Sequence, residues 1–365
     1  MSDNTTKKSS KKTERRKRRK IFLIVEIVVL LVLLLFLFVY LKFGMINYND
    51  ISEDIHTNEM AEETEEALSG YTNIALFGVD NRTAGRYEGG NSDTIMICSI
   101  NNDTKKITLS SVFRDTFLDV KGDGTFRKCN YAYNSGGVKS AIDMLNRNMD
   151  LDIADYVAVD WKALVNAIDA VGGLEIDVTE EEVRAMNAKD FYSQTARTAG
   201  VSSKPLTQPG LQKLDGVQAV VYCRIRKLSG DDYARASRQR KVLELLFEKT
   251  KSASLSELNA LIDAILPQVS TSFSAMELVT LASAFKDYTF NQTKGFPFDS
   301  TSKNLGGVYG SIVIPCTLES NVRQLHKLMF EEENYTPSNT VSGISSQIVN
   351  ITGATEDSAV DKGDY

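Results

Sequence analysis

Histidine is almost absent: the only two in 365 residues are His56, inside an acidic stretch, and His326, on a late helical segment. A serine or cysteine nucleophile activated by an imidazole base therefore has almost no raw material. The four cysteines, Cys98, Cys129, Cys223 and Cys316, stand far apart without any CxxC or Cys/His spacing, which excludes an ordinary zinc site. Cys98 and Cys223 sit inside apolar runs, where a thiol acts as a small core residue, so buried free thiols are expected in preference to disulfides. Basic charge is also scarce over most of the chain. The net charge is −6, yet the first twenty residues carry ten Lys/Arg against only Asp3 and Glu14; with these and Glu26 set aside, Lys42 onward has a net charge of −13. That background argues against a general surface for nucleic acid or anionic lipid, and makes any cluster of arginines within it informative.

One long hydrophobic run is present. Ile21 to Leu41 is apolar apart from Glu26, and at about 1.5 Å per residue it can cross a bilayer core of about 30 Å. No small-residue cleavage site follows it directly, so it reads as an uncleaved anchor. Positive charge before the span and acidic residues after it place the N-terminus in the cytoplasm and the rest outside, a single-pass type II arrangement in the cell membrane. The predicted organisation is a basic cytoplasmic tail (1–20), a transmembrane helix (21–43), an acidic stalk (44–70), a catalytic domain (71–335), and a Ser/Thr/Asn/Asp-rich tail without expected order (336–365).

From Tyr71 the pattern alternates. TNIALFGVD, DTIMICSIN and KKITLSSVF read as strands, the last two joined as a hairpin through NNDTKK. KSAIDMLNRNM, KALVNAIDA and several later segments have helical spacing, with strands such as YVAVDW and LEIDV between them. Strands interleaved with helices, with a hairpin inside, predict an α-β-α sandwich on a central mixed sheet.

Within this frame the stretch VVYCRIRKLSGDDYARASRQRKVLE, Val220 to Glu244, is the most informative. It reads as an apolar strand, a polar loop and an arginine-rich helix. Arg224 and Arg226, two apart on a strand, would share a face, and Arg235, Arg238 and Gln239 would share a helix side. Guanidinium groups offer planar donor forks suited to phosphate, so the stretch predicts a receptacle for a polyanion; pairing with Asp231, Asp232 and Glu244 is the competing account. Asp80 closes the first strand and Asp93 opens the second, where two carboxylates at one sheet edge could hold magnesium jointly with phosphate oxygens. Arg114 and Asp115 follow the third strand, and Lys128 and Asn130 lie in a Gly-rich turn, GDGTFRKCN.

The ordered pieces GVD, SDTIMI, FRDT, KxN, GG, VGGLEI, LDGVQAVVYCRIRK and RxxRQ closely resemble the LytR-CpsA-Psr family of cell-envelope glycopolymer transferases, over about Asn73 to Thr250 and more weakly to Phe330. Asn91, Phe113, Cys129 and Cys223 depart from its pattern. The resemblance implies a membrane-anchored, magnesium-dependent phosphotransferase. Such an enzyme moves a wall teichoic acid or capsule polymer from an undecaprenyl pyrophosphate carrier to peptidoglycan, at the muramic acid 6-hydroxyl. It also implies roles: Arg114, Arg224, Arg226 and Arg235 on the pyrophosphate, with Lys128, Arg238 and Gln239 orienting oxygens. Asp80 and Asp93 would hold Mg²⁺, one of them or Asp115 would serve as base, and an apolar slot between sheet and helices would take the lipid. A pyrophosphate hydrolase, or a non-catalytic scaffold that binds lipid-linked intermediates, remains open at this stage.

Overall fold

The structure, a computed structural model, describes residues 41–51, 55–79, 87, 90–188, 190–226 and 231–361. Two compact units divide the chain, residues 1–45 and 46–365. In the first, a helical end at residues 41–43 and a turn are described; the basic tail and most of the predicted span lie outside the described residues. Among the described residues no helix is long and apolar enough to cross a membrane.

The second unit begins with strand β1 (Asn47–Tyr48) and helix α1 (Glu62–Ser69), then a meander of β2 (Tyr71–Val79), β3 (Ser92–Asn101) and β4 (Lys106–Val112). The β3–β4 hairpin pairs Ile100 with Ile107, and its turn is held by Asn101 Oδ1, which accepts from the amides of Asp103 and Thr104. A short hairpin of β5 (Phe117–Asp119) and β6 (Phe126–Lys128) leads into α2 (Asn130–Met149), which breaks at Gly136–Gly137. β7 (Asp155–Asp160) runs directly into α3 (Trp161–Ala170), whose N-cap is the Asp160 carboxylate accepting from the Ala163 amide. Next come β8 (Leu174–Val178), α4 (Glu180–Asn187), α5 (Phe191–Ala199), β9 (Gly210–Leu214), α6 (Gly216–Cys223) and α7 (Asp231–Lys251). The chain closes with α8 (Leu255–Ile265), β10 (Val269–Thr271), α9 (Ala275–Ser283), β11 (Thr289–Phe296), β12 (Ser300–Asn304), β13 (Ser311–Pro315), α10 (Leu318–Phe330) and α11 (Asn339–Thr352).

Seven strands form the main sheet in the order β1-β10-β7-β2-β3-β4-β11, with parallel and antiparallel pairs mixed. The central strands are apolar on both faces because both are covered. On one face Ala75, Phe77, Ile95, Ile97 and Tyr156 pack with α2, α10 and α11. On the other, Leu76, Cys98 and Val157 meet Phe247 of α7 and Leu278 of α9. A separate core joins α3, α5, α6 and α8 to the β8–β9 hairpin. This is the α-β-α architecture on a mixed sheet that the alternation predicts.

Two expectations are corrected. Val220 to Arg226 is not a strand: residues 216–223 form α6, and Arg224 is its C-cap. Asp215 accepts from the Gln218 amide while the Gln218 side chain accepts from the Asp215 amide, a capping box that starts a helix. An apolar run this short, buried all round, has no periodicity to separate helix from strand. The composition of 336–365 predicts no order, yet α11 lies there with Val341, Ile344 and Ile348 buried against α10 and α2. The spacing i, i+3, i+7 gives that segment one apolar helical face despite its polar composition.

All four cysteines are free thiols, three of them buried. Burial pushes the Cys98 and Cys223 thiols up to about 12, so they behave as small core residues.

Candidate active site

Three chain segments meet where β2 ends, β3 begins and β4 ends. The β2–β3 ladder runs to Val79 opposite Ser92, with a register shift after Gly78, and a Cβ at Gly78 would come within 2.8 Å of Thr94 Cβ. Asp93 emerges at this edge. Arg114 and Asp115 leave β4 in a turn closed by the Thr116 amide and hydroxyl, both donating to the Phe113 carbonyl. The Cys129 thiol donates to the carbonyls of Phe113 and Arg114 at 3.2 and 3.3 Å, and the Asn130 amide donates to that of Arg114. The exit of β4 is thereby tied to the first turn of α2, and Lys128, at the end of β6, is brought alongside.

The side chains form an alternating chain of charge. Arg226 Nη2 lies 3.2 Å from Asp93 Oδ2, and Arg114 Nη1 lies 2.6 Å from Asp93 Oδ1. Arg114 Nε is 3.7 Å from Asp115 Oδ1, which Lys128 Nζ approaches at 3.3 Å. Three cations alternate with two carboxylates in this row, leaving it net positive. Arg226 is the most exposed member, at 46% of its side chain, and so the one most available to an incoming anion.

The remaining arginines divide. Arg224, at the end of α6, donates to Thr195 Oγ1 at 2.9 Å and lies over the rings of Trp161 and Phe191, 5.4 and 5.3 Å from their centroids. Arg235 is buried on α7, and its neighbours Tyr233 and Ala236 pack on Phe113, so the start of α7 meets the exit of β4. Gln239 follows Arg235 by one turn on the same side. Arg238 points elsewhere: its Nε donates to Glu182 of α4 at 2.9 Å, both side chains are nearly buried, and its guanidinium lies near the Tyr222 ring. The structure thus gathers Asp93, Arg114, Asp115, Lys128 and Arg226 and does not bring Arg238 to them. Asp80 lies outside the described residues.

Beside this edge an apolar cavity of about 180 Å³ opens between the sheet and the helices α3 and α7. Leu76, Met96, Val157, Leu164, Val242 and Leu243 line it, Gln239 and Asp160 are its polar members, and Thr94, next to Asp93, joins it to the charged row. Trp161 is shared: it lines the cavity and carries Arg224 on its face. The site therefore combines an apolar slot with a cationic head, the chemistry of a lipid that ends in phosphate.

The sequence matches the LytR_cpsA_psr family over residues 40–326. The chain belongs to that family. Among its relatives, the polyisoprenyl-teichoic acid–peptidoglycan teichoic acid transferase TagU of Enterococcus faecalis is 32% identical over 263 residues, covering 69% of this chain and 81% of that one. The crystal structure of Bacillus subtilis TagV superposes with a TM-score of 0.56 at 22% identity, over 73% of this chain and 98% of that one. A LytR-CPS2A-psr family protein, YwtF (TagT), with bound octaprenyl pyrophosphate lipid, superposes with a TM-score of 0.54 at 16% identity, over 77% and 99%. Both share the LytR_cpsA_psr fold described above.

Asp160 and Trp161 are residues of this candidate site that sequence reasoning passes over. Their signal is present in YVAVDWKAL: an Asp where a strand gives way to a helix is an N-cap, and an aromatic at N1 of that helix must face whatever the strand end faces.

Proposed function

We propose that this chain is a phosphotransferase that attaches an undecaprenyl-pyrophosphate-linked anionic glycopolymer, of the wall teichoic acid or capsule type, to peptidoglycan at the muramic acid 6-hydroxyl. It acts outside the cell, tethered through 21–43 with its N-terminus in the cytoplasm. The observation that carries the reading is the apolar cavity ending at the row Arg226–Asp93–Arg114–Asp115–Lys128. The names of relatives as teichoic acid transferases, and a relative's bound octaprenyl pyrophosphate, support it.

The lipid tail takes the cavity and the pyrophosphate takes the cations. A cavity of about 150 Å³ suits a ligand the size of benzene, so about 180 Å³ holds only the first isoprene units, and the rest of the tail needs α3 and α7 to part. Arg114 and Arg226, oriented by the two oxygens of Asp93, neutralise charge on the transferred phosphoryl group, with Arg224 and Arg235 flanking it and Gln239 at the neck of the slot. The acceptor hydroxyl attacks the sugar-side phosphorus and its proton passes to Asp115 or Asp93. The bond to the bridging oxygen breaks with its electron pair leaving on undecaprenyl phosphate.

Magnesium belongs to this reading. Each carboxylate oxygen of Asp93 faces one guanidinium and keeps a second lone pair, and the adjacent Ser92 hydroxyl is buried with no hydrogen-bond partner, so hard oxygens are on hand at this edge. Among the described residues no group of three or more His, Cys, Asp or Glu could hold a metal, so Asp93, with Asp80, would share the ion with phosphate oxygens. When bound, the ion would add positive charge against the pyrophosphate.

The test is release of undecaprenyl phosphate from a pyrophosphate-linked sugar donor by the full chain in detergent, with Mg²⁺ or EDTA, with and without peptidoglycan oligosaccharide, beside Arg114→Ala. Release that requires the metal, Arg114 and the glycan, with sugar phosphate appearing on the glycan, is the expected result. Release that ignores the glycan would make the protein a hydrolase, and donor binding without turnover would make it a scaffold.

A further inference from the structure

A second cavity, of about 710 Å³, lies on the other face of the sheet. The apolar slot is lined by Leu76, Gly78, Val157 and Val159, which point to the α7 side; the second cavity is lined by Tyr156 and Tyr87, which belong to the core under α2. Its character is opposite to that of the slot. Asn47, Asn49 and Asn134 contribute amides, Ser270 and Ser135 contribute hydroxyls that bond the Tyr156 hydroxyl and the Ala132 carbonyl, and among the described residues the one cation, Lys139, is paired with Asp143 at 3.0 Å. The Tyr87 hydroxyl is buried and has no hydrogen-bond partner. The wall is completed by the break in α2. Gly137 has φ +67°, and a Cβ there would meet nothing within 4 Å, so the break faces open space.

Helix α2 links the cavity to the charged row. The amide of Asn130 donates to the Arg114 carbonyl, and Asn134 lies one helical turn further along α2, about 6 Å at about 1.5 Å per residue. Phosphoryl transfer proceeds with the attacking and leaving oxygens roughly in line through phosphorus. With the lipid on the α7 face of the sheet, its phosphate leaves toward that face, and the nucleophile must arrive from the other. An amide-rich and hydroxyl-rich hollow with tyrosine rings, and with Ile51 and Val138 as its only aliphatic members among the described residues, suits a polyhydroxylated, N-acetylated sugar better than a polyanion or a long aliphatic chain.

Resting on the transferase reading, we infer that this α2-side cavity is the subsite for the acceptor glycan. It holds an amino sugar of the glycan strand so that a hydroxyl further along the strand points at the phosphorus held by Arg114 and Arg226. Asn134, exposed on the first half of α2, contacts that sugar and sets acceptor affinity.

The test uses the full chain in detergent micelles, a peptide-free peptidoglycan oligosaccharide, and the substitutions Asn134→Ala and Ser135→Trp, both at exposed positions. Asn134→Ala is expected to raise the acceptor KM about five-fold, the loss of one hydrogen bond, with the donor KM unchanged. Ser135→Trp is expected to abolish oligosaccharide binding seen by saturation-transfer NMR while undecaprenyl pyrophosphate still binds. An unchanged acceptor KM together with unchanged oligosaccharide binding overturns the assignment. A rise in donor KM instead of acceptor KM also overturns it, since the donor's own sugars would then fill the cavity. Oligosaccharide binding lost in Ser135→Trp, in a protein that transfers nothing, would support the cavity and overturn the transferase reading.

Discussion

Asp93 holds Arg114 with one oxygen and Arg226 with the other, so a single carboxylate orients two cations from segments more than a hundred residues apart. Removing it should disorganise the donors proposed to meet phosphate at a modest cost in stability, because the Arg226 pair is half exposed and contributes at most about 1 kcal/mol, and Arg114 keeps Asp115 as a partner. Asp93→Ala is expected to lower the transfer rate about 100-fold, the scale of losing one oriented donor, with a melting temperature within a few degrees of the parent. A normal rate would remove Asp93 from the site. Arg238→Ala should do the reverse. Its pair with Glu182 is nearly buried, and breaking such a pair costs about 3 kcal/mol, or roughly 6 °C in a chain of this size, while transfer by the folded protein stays within about two-fold of the parent. A thermal melt beside the transfer assay separates the two. Sequence reasoning places Arg235 and Arg238 together because they lie three apart on one helix. What divides them is Glu182, a partner 56 residues away that no local pattern announces.

At the scale of elements, α6 shows why part of the site was legible and part was not. Arg224 and Arg226 stand out as candidate phosphate ligands from their type and company, but not from their placement: they leave the C-terminal end of a buried helix, and so diverge. Arg224 goes to Trp161 and Phe191 and Arg226 to Asp93, where two residues on one strand face would have pointed together. The capping box at Asp215 is a local signal of the element type; a helix with seven of its eight residues buried offers no periodicity to read. The strands β2 to β4 were legible because their turns and alternation agree with their burial. α6 is seated by Gly216, where a Cβ would lie 2.2 Å from the Val165 carbonyl oxygen of α3. Gly216→Ala must therefore push α6 off α3. Backbone offers no rotamer to yield, so the cost is expected at or above about 3 kcal/mol. Arg224 would move with the helix, and donor KM should rise even in the fraction that stays folded; denaturant titration with a donor-binding assay checks both, and an unperturbed melt would contradict the close approach.

At the scale of the whole molecule, the sheet acts as a partition, with an apolar slot on one face, a polar hollow on the other and the charged row at the end of β2 and β4 beside the slot. The α2 face depends on the C-terminal helix. α11 buries Val341, Ile344 and Ile348 in the core beneath α2, and Asp150, at the end of α2, accepts from the Ser338 amide and hydroxyl at 2.8 and 2.7 Å, from Asn58 at 2.6 Å, and from the Tyr335 hydroxyl. Ending the chain after Tyr335 would remove three core aliphatics, each contributing about 1.5–3 kcal/mol, bare the core they cover, and strip a buried carboxylate of two donors. That sum is comparable with the whole stability of an ordinary domain, about 5–15 kcal/mol. The truncated chain is therefore expected to lose its cooperative unfolding transition, or to melt more than about 10 °C below the parent. Because the first turn of α2 is bonded to the Arg114 carbonyl, transfer should fall further than the folded fraction alone requires. A truncated protein with the parent's melting curve and activity would show that α11 is not part of the core, and would return 336–365 to the unstructured tail its composition suggests.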